Sequence, residues 1–366
     1  MNWYQIKNIE TIDSPALIIY KERVLQNIQS LLKMKDVVHL RPHVKTNKIA
    51  EVCKMMLDAG ITKFKCATIA EAEMLGMINA PDVLLAYQPT IIKAKRLIQL
   101  IQKYTSTKFS CLIDDTENAK NISGVFHQNN IIVNVFIDLN VGQNRTGIKT
   151  ANAFQLYDDC KELNGINMIG LHVYDGHIRD TDVDERKKNA DSAFDEVIKL
   201  AEKIESSSNK KLIIVAGGSP TFPVHAQRKN VECSPGTFVF WDWGYITQFT
   251  DEPFELAALV ITRIISVVDE TTICTDLGHK SVAAENTIDK RVHFLNAENA
   301  KAIGQSEEHL VLKVDNTTAY KIGDVLYGVP YHICPTVALY EKGIVVENNE
   351  VVNEWKVVAR DRKINV

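Results

Sequence analysis

The chain has 366 residues, and 42 Lys plus Arg against 46 Asp plus Glu leave a formal charge of −4. That balance argues against a basic nucleic-acid binder, and 45% hydrophobic with 24% charged residues is globular rather than disordered composition. No apolar run approaches the ~20 residues that span a bilayer, and the start, MNWYQIKNIETID, lacks the basic and apolar regions of a signal peptide, so the expected compartment is the cytosol, with no membrane partner.

Seven scattered cysteines (53, 66, 111, 160, 233, 274 and 334) without a CxxC pair read as mostly reduced core thiols rather than a disulfide framework.

Short β-branched runs alternate with helical stretches from residue 37 onward: 37–44, 63–67, 83–87, 108–113, 131–139, 167–174, 211–216 and a piece near Val231. Between them lie patterns such as IIKAKRLIQLIQKY, where Ile92, Leu97, Leu100, Ile101 and Tyr104 fall on one helical face. Eight βα units in roughly 200 residues predict a TIM-type (β/α)8 barrel. Its rival, an open doubly wound sheet, would be expected to show a GxGxxG turn after the first strand, and there is none. After about residue 250 the runs LAALVITRIISVVD, TTICTDLG, HLVLKV, DVLYGVP and VVNEWKVVA predict a mostly antiparallel β domain. The expected organisation is a barrel over 1–250, whose first ~20 residues, with PALIIY, are free to join either domain, and a β domain over 251–366.

Five clusters carry chemistry. Alternation in the first run puts His39, Arg41, His43 and Lys45 on one basic face. Lys45 falls at the strand's C-terminal end, where a lysine that is partly desolvated and beside other cations becomes a Schiff-base former. Gly217-Gly218-Ser219-Pro220-Thr221 and Ser234-Pro235-Gly236-Thr237 are small-residue turns after the seventh and eighth strands, where barrels commonly hold phosphate. Arg145 follows the fifth strand and suits a phenolate or carboxylate oxygen, with a structural pair to Asp138 as the alternative. His172 and Tyr174 share one side of the sixth strand, and His177 in the next loop is a candidate acid/base. In the β domain, His332 and Cys334, read as strand positions i and i+2, would reach one ion, a pair that suits zinc in an open coordination sphere.

These segments, RPHVKT, DLNVGQNRTG, GLHVYDGH, GGSPT, SPGTFVFWD, DLGHKS, SEEH and GDVLYGVPYHICPTV, resemble the D-threonine aldolase and D-serine dehydratase family of alanine-racemase-like, fold type III pyridoxal-phosphate enzymes. The resemblance spans nearly the whole chain and implies a homodimer acting on small D-amino acids. By the same resemblance Lys45 is the cofactor lysine, flanked by His43. Arg145 lies near the cofactor's phenolic oxygen and Tyr174 near its ring. Gly217, Gly218, Ser219, Thr221, Gly236 and Thr237 hold its phosphate, His177 stands by the substrate, and His332 with Cys334 binds a divalent metal. The family often has histidine where Asn47 stands, and some aldolases have aspartate in place of Cys334, so zinc is the first expectation, with manganese and magnesium as alternatives. The expected activity is cleavage of D-threonine-like β-hydroxy amino acids to glycine and an aldehyde. The runner-up is a D-serine dehydratase yielding pyruvate and ammonia, ahead of a racemase or a non-catalytic pyridoxal-phosphate carrier.

Overall fold

The computed structural model describes residues 1–366. Its contacts divide the chain into two units, and the division falls between Gly236 and Thr237 rather than near residue 250. One unit comprises residues 31–45, 53–236 and 361–366; the other comprises 1–30, 46–52 and 237–360.

The first unit is built on parallel strands in the order Lys63–Cys66, Asp82–Leu85, Lys108–Ile113, Val133–Asn140, Ile166–Val173, Ile213–Ala216 and Val231–Cys233. Every neighbouring pair is parallel. The edges are joined by residues 40–43, where Leu40 bridges Cys233 and His43 bridges Lys65. Seven of the eight expected strands are therefore present, residues 40–43 close them into a barrel through isolated bridges, and the open-sheet rival is excluded. The first strand differs from expectation in form: residues 37–39 make a 3-10 turn, and Pro42, which has no N–H to give a ladder, leaves only isolated bridges.

Leu84, Leu112, Phe136 and Val215 form a packed core cluster of this sheet. Gly170 lets strands approach there, since a Cβ at that position would stand 2.1 Å from the Ile213 carbonyl oxygen. Side-chain caps start the surrounding helices: Thr68, Asp115 and Asp182 accept from Glu71, Asn118 and Glu185 backbone N–H groups. The helix Ile91–Lys103 forms as expected, but its buried stripe is Ala94, Leu97, Ile98 and Leu100, while Ile92 is 74% exposed. The last residues return to this unit, where Glu73 accepts from the Asn365 and Val366 N–H groups and Arg96 donates to the Val366 carbonyl oxygen.

The second unit is the expected β domain. Ala258–Asp269 pairs antiparallel with Thr272–Thr275 and with Val325–Pro330 around Val260, Ile264, Ile273, Leu312 and Leu326. The ALIIY strand, Ala16–Tyr20, lies in this sheet, antiparallel to Ala258–Asp269 and parallel to Lys342–Glu347. No helix is long and apolar enough to cross a membrane. All seven cysteines are free, and six are buried; Cys334 alone is half-buried.

Candidate active site

The C-terminal strand ends of the barrel gather most of the residues singled out from sequence. Lys45 ends the first strand segment and is exposed, so burial is not what would activate it; its backbone N–H donates to His43 Nδ1 at 3.2 Å. The expected basic face is not continuous either. Arg41 turns inward, 1% exposed, and donates to Glu232 at 2.7 Å and to Asp82 at 2.6 and 3.2 Å, a structural network that engages all three of its nitrogens. Asn47 is buried and accepts from the Ile49 N–H.

The fifth and sixth strands bring Asp138 and His172 together at 2.7 Å, and Gln88 donates to the other Asp138 oxygen at 2.7 Å. Asp138 is thus paired with His172 and not with Arg145. Burial opposes its ionisation, but the contacts to His172 outweigh that and hold the carboxyl below the ordinary range. His172 itself is pulled down by burial, against the pull of Asp138. With Nδ1 on Asp138, its buried Nε2 has no hydrogen-bond partner. Arg145 is exposed, its guanidinium carbon 5.0 Å from the centre of the Tyr174 ring. His177 is exposed and stands over Gly142, where a Cβ would come within 2.5 Å of its Nε2.

Behind the GGSPT turn lies a buried chain of polar groups that sequence reasoning missed. Asp175 accepts from Thr221 Oγ1 at 2.6 Å and pairs with His225 Nε2 at 2.7 Å. Arg228 donates to His225 Nδ1 at 2.7 Å and to Asp191 at 2.5 Å. Burial works against an ionised Asp175, but the His225 and Thr221 hydrogen bonds hold its carboxyl low. Thr221 is therefore committed to Asp175 and supports the turn rather than offering its hydroxyl to an anion. Gly217 takes φ +78° and its N–H bonds the Val173 carbonyl. The N–H groups of Gly218 and Gly236 rest on hydroxyls, Thr221 at 3.4 Å and Ser219 at 3.2 Å, at long and weak distances.

In the β domain, His332 and Cys334 do not alternate along a strand. The strand ends at Pro330, His332 is the N-cap of the short helix Ile333–Val337, and Pro335 is accommodated in its first turn. The two side chains still meet through a hydrogen bond. Burial lowers the His332 pKa, but Cys334 and Glu285 together carry it up to about 9. Glu285 holds Nδ1 at 2.6 Å, a carboxylate–imidazole contact that fixes the orientation of the ring. Cys334 Sγ is 3.1 Å from Thr46 Oγ1 and 3.8 Å from Thr237 Oγ1, so Thr237 borders the thiol. No group of three His, Cys, Asp or Glu side chains is arranged to hold a metal ion.

Sequence reasoning also passed over Lys65. It lies in the second strand, 2% exposed, with Nζ 5.6 Å from the Tyr174 ring centre. Burial first, and then the charge of Lys45, bring its pKa down to about 7.

A parallel βα barrel followed in the chain by an antiparallel β domain is the architecture of the alanine-racemase-like class. The alanine racemase N-terminal domain family matches residues 19–242, and a putative serine dehydratase domain matches residues 257–346. The chain is 25% identical over 357 residues to D-threonine aldolase from Arthrobacter sp, covering 95% of this chain and 93% of that one. It is 22% identical to D-threo-3-hydroxyaspartate dehydratase from Delftia sp. strain HT23, covering 94% and 97%. A solved D-threonine aldolase from Filomicrobium marinum superposes with a TM-score of 0.87 at 23% identity, covering 95% of each chain. A cysteine-to-alanine mutant of D-threo-3-hydroxyaspartate dehydratase, solved in a metal-free form, superposes with a TM-score of 0.80 at 20% identity over 94% of this chain and 97% of that one. The chain belongs to the alanine-racemase-like family, in the branch of its D-threonine aldolases and D-serine dehydratases, which are pyridoxal-phosphate-dependent lyases.

Proposed function

We propose that the chain is a lyase, dependent on pyridoxal phosphate and a divalent metal, that cleaves D-threonine-like D-β-hydroxy amino acids to glycine and an aldehyde. The observation that carries this choice is the end-to-end likeness to the Arthrobacter D-threonine aldolase. Pyridoxal phosphate, when bound, would supply an electron sink for the bond broken at Cα.

The residues present fit that cofactor. Lys45 has an exposed amine at the mouth for the aldehyde. The long hydroxyl bonds of Gly218 and Gly236 are ones a phosphate's oxygens would replace to advantage. Ser219 completes that loop, while Gly217 and Thr221 shape it. Arg145 and Tyr174 would flank the ring, with His43 beside the lysine.

For the metal, the donor set itself is the argument: an imidazole oriented by Glu285 and a neighbouring thiol suit zinc better than manganese or magnesium. An ion held by His332 and Cys334 would act as a Lewis acid toward the β-hydroxyl, and His177 would take its proton. The active form is inferred to be a homodimer, which sedimentation at micromolar concentration tests.

A D-serine dehydratase is the second reading, favoured by the match of residues 257–346 to the serine dehydratase domain. There Lys45 would remove the α-proton, and His332 with Cys334 would hold the ion whose Lewis acidity favours loss of the β-hydroxyl. Incubation with D-threonine and with D-serine decides between them. Glycine and acetaldehyde are expected from D-threonine; pyruvate and ammonia from D-serine, with D-threonine untouched, would overturn the aldolase assignment.

A further inference from the structure

Four basic side chains are buried: Lys35, Arg41, Lys65 and Arg186. Three of them donate to groups of the protein, although one nitrogen of Arg186, its Nε, makes no hydrogen bond. Lys35 donates to the Ala226 and Arg228 carbonyls, Arg41 to Glu232 and Asp82, and Arg186 to the Asp180 carbonyl. Lys65 makes neither a hydrogen bond nor an ion pair through its amine, although it is 2% exposed. The two carboxylates that act on it are already engaged: Asp138 by His172 and Gln88, Asp175 by Thr221 and His225. Its other charged neighbours, Lys45 and Arg41, are cations.

A buried amine in such a place is costly unless something brings it a counter-charge. Its backbone is fixed on both sides by the first strand, since Lys65 N–H donates to the Pro42 carbonyl and its own carbonyl accepts from Val44, both at 2.9 Å. The side chain reaches toward the Tyr174 ring, and the bridge between His43 and Lys65 sets it beside the strand end that carries Lys45. A second unpartnered polar atom, His172 Nε2, is coupled electrostatically to Lys65.

We propose that Lys65 is a ligand-binding residue of this site, a second and non-covalent lysine whose ammonium binds an anionic oxygen of the small molecule held in the barrel mouth. The inference rests on the pyridoxal-phosphate reading. Two molecules there carry such an oxygen: the cofactor, through its phenolate, and the amino acid, through its carboxylate. The depressed pKa of the ligand-free amine agrees with an unanswered charge, which either anion would answer. Arg145, to which the resemblance gave the phenolate, is exposed, whereas Lys65 is buried, and a buried donor makes the stronger charge-assisted bond.

The test uses full-length protein stripped of cofactor, as wild type, Lys65→Met and Lys65→Gln, with folding checked by urea unfolding. Each is titrated with pyridoxal 5′-phosphate and with its 3-O-methyl ether, which lacks the phenolate. Loaded protein is then titrated with D-serine, followed by the change in cofactor absorption. If the phenolate is the partner, wild type prefers pyridoxal phosphate over the ether by about tenfold or more, and both variants lose that preference. If the carboxylate is the partner, the preference survives and D-serine binds the variants about tenfold more weakly. Variants that match wild type in both titrations overturn the proposal while leaving the cofactor reading intact. Wild type that does not bind pyridoxal phosphate at all brings down both.

Discussion

Replacing Lys65 by methionine should stabilise the cofactor-free protein, and by an amount that depends on pH. The amine's pKa falls from the ordinary 10.5 to about 7, because of burial and the Lys45 and Arg41 charges, against partial support from Asp175 and Asp138. A shift of roughly 3.5 units at 1.36 kcal/mol each corresponds to about 5 kcal/mol, an upper value if the side chain relaxes toward solvent. Between pH 7 and 10.5 the unfolded amine is protonated while the native one is neutral. The unfolded state therefore holds more protons, and stability rises with pH through that window. Below pH 7 both states are charged and the full penalty applies; above 10.5 both are neutral and it is gone. Lys65→Met keeps the length and removes the charge, so its advantage over wild type should be about 5 kcal/mol near pH 6 and fade toward zero near pH 10.5. Urea unfolding of both proteins at several pH values reads this, because titrations that are not coupled to Lys65 cancel in the difference. A difference constant with pH, or a variant less stable than wild type at pH 6, would refute the reasoning.

Three further substitutions probe other parts of the site. His225→Ala leaves Asp175 buried with Thr221 as its remaining side-chain hydrogen-bond partner, and a loss of about 3 kcal/mol in urea unfolding is expected, with a null effect counting against the buried pair. Gly142→Ala forces a side chain onto φ +123° and toward His177, so turnover of D-threonine should fall about tenfold or more while pyridoxal phosphate binding stays put; unchanged turnover would remove His177 from the chemistry. Glu285→Gln should weaken metal affinity by about 10- to 100-fold, read by competition with a chelator, and unaltered affinity would mean that Glu285 does not orient a coordinating His332.

Much of the barrel was legible because parallel strands buried on both faces read as continuous β-branched runs, and seven of the eight segments recur as strands, the first as isolated bridges only. What pattern alone could not settle depended on partners far along the chain. Ala16–Tyr20 pairs in parallel with Lys342–Glu347, and the C-terminal residues return to Glu73, neither of which leaves a local mark. The loops and strand ends that carry Lys45, Arg145, Tyr174 and His177 stood out because ionisable residues at parallel-strand ends are conspicuous. Residues whose role comes from burial did not: Arg41 looked like part of an exposed basic face, and Lys65 looked like an ordinary lysine in FKC. The Asp175–His225 pair joins residues 50 positions apart. His332 and Cys334 were found for the wrong local reason, since the N-cap of a short helix, not strand alternation, brings them together.

The most direct measurement is to load the purified protein with pyridoxal phosphate, reduce it with borohydride, digest it and locate the pyridoxyl group by mass spectrometry. A single modified peptide carrying the group on Lys45 is the expected result. Modification on Lys65 or Lys48 in its place, or no modified peptide at all, would contradict the assignment of Lys45 as the residue that holds the cofactor.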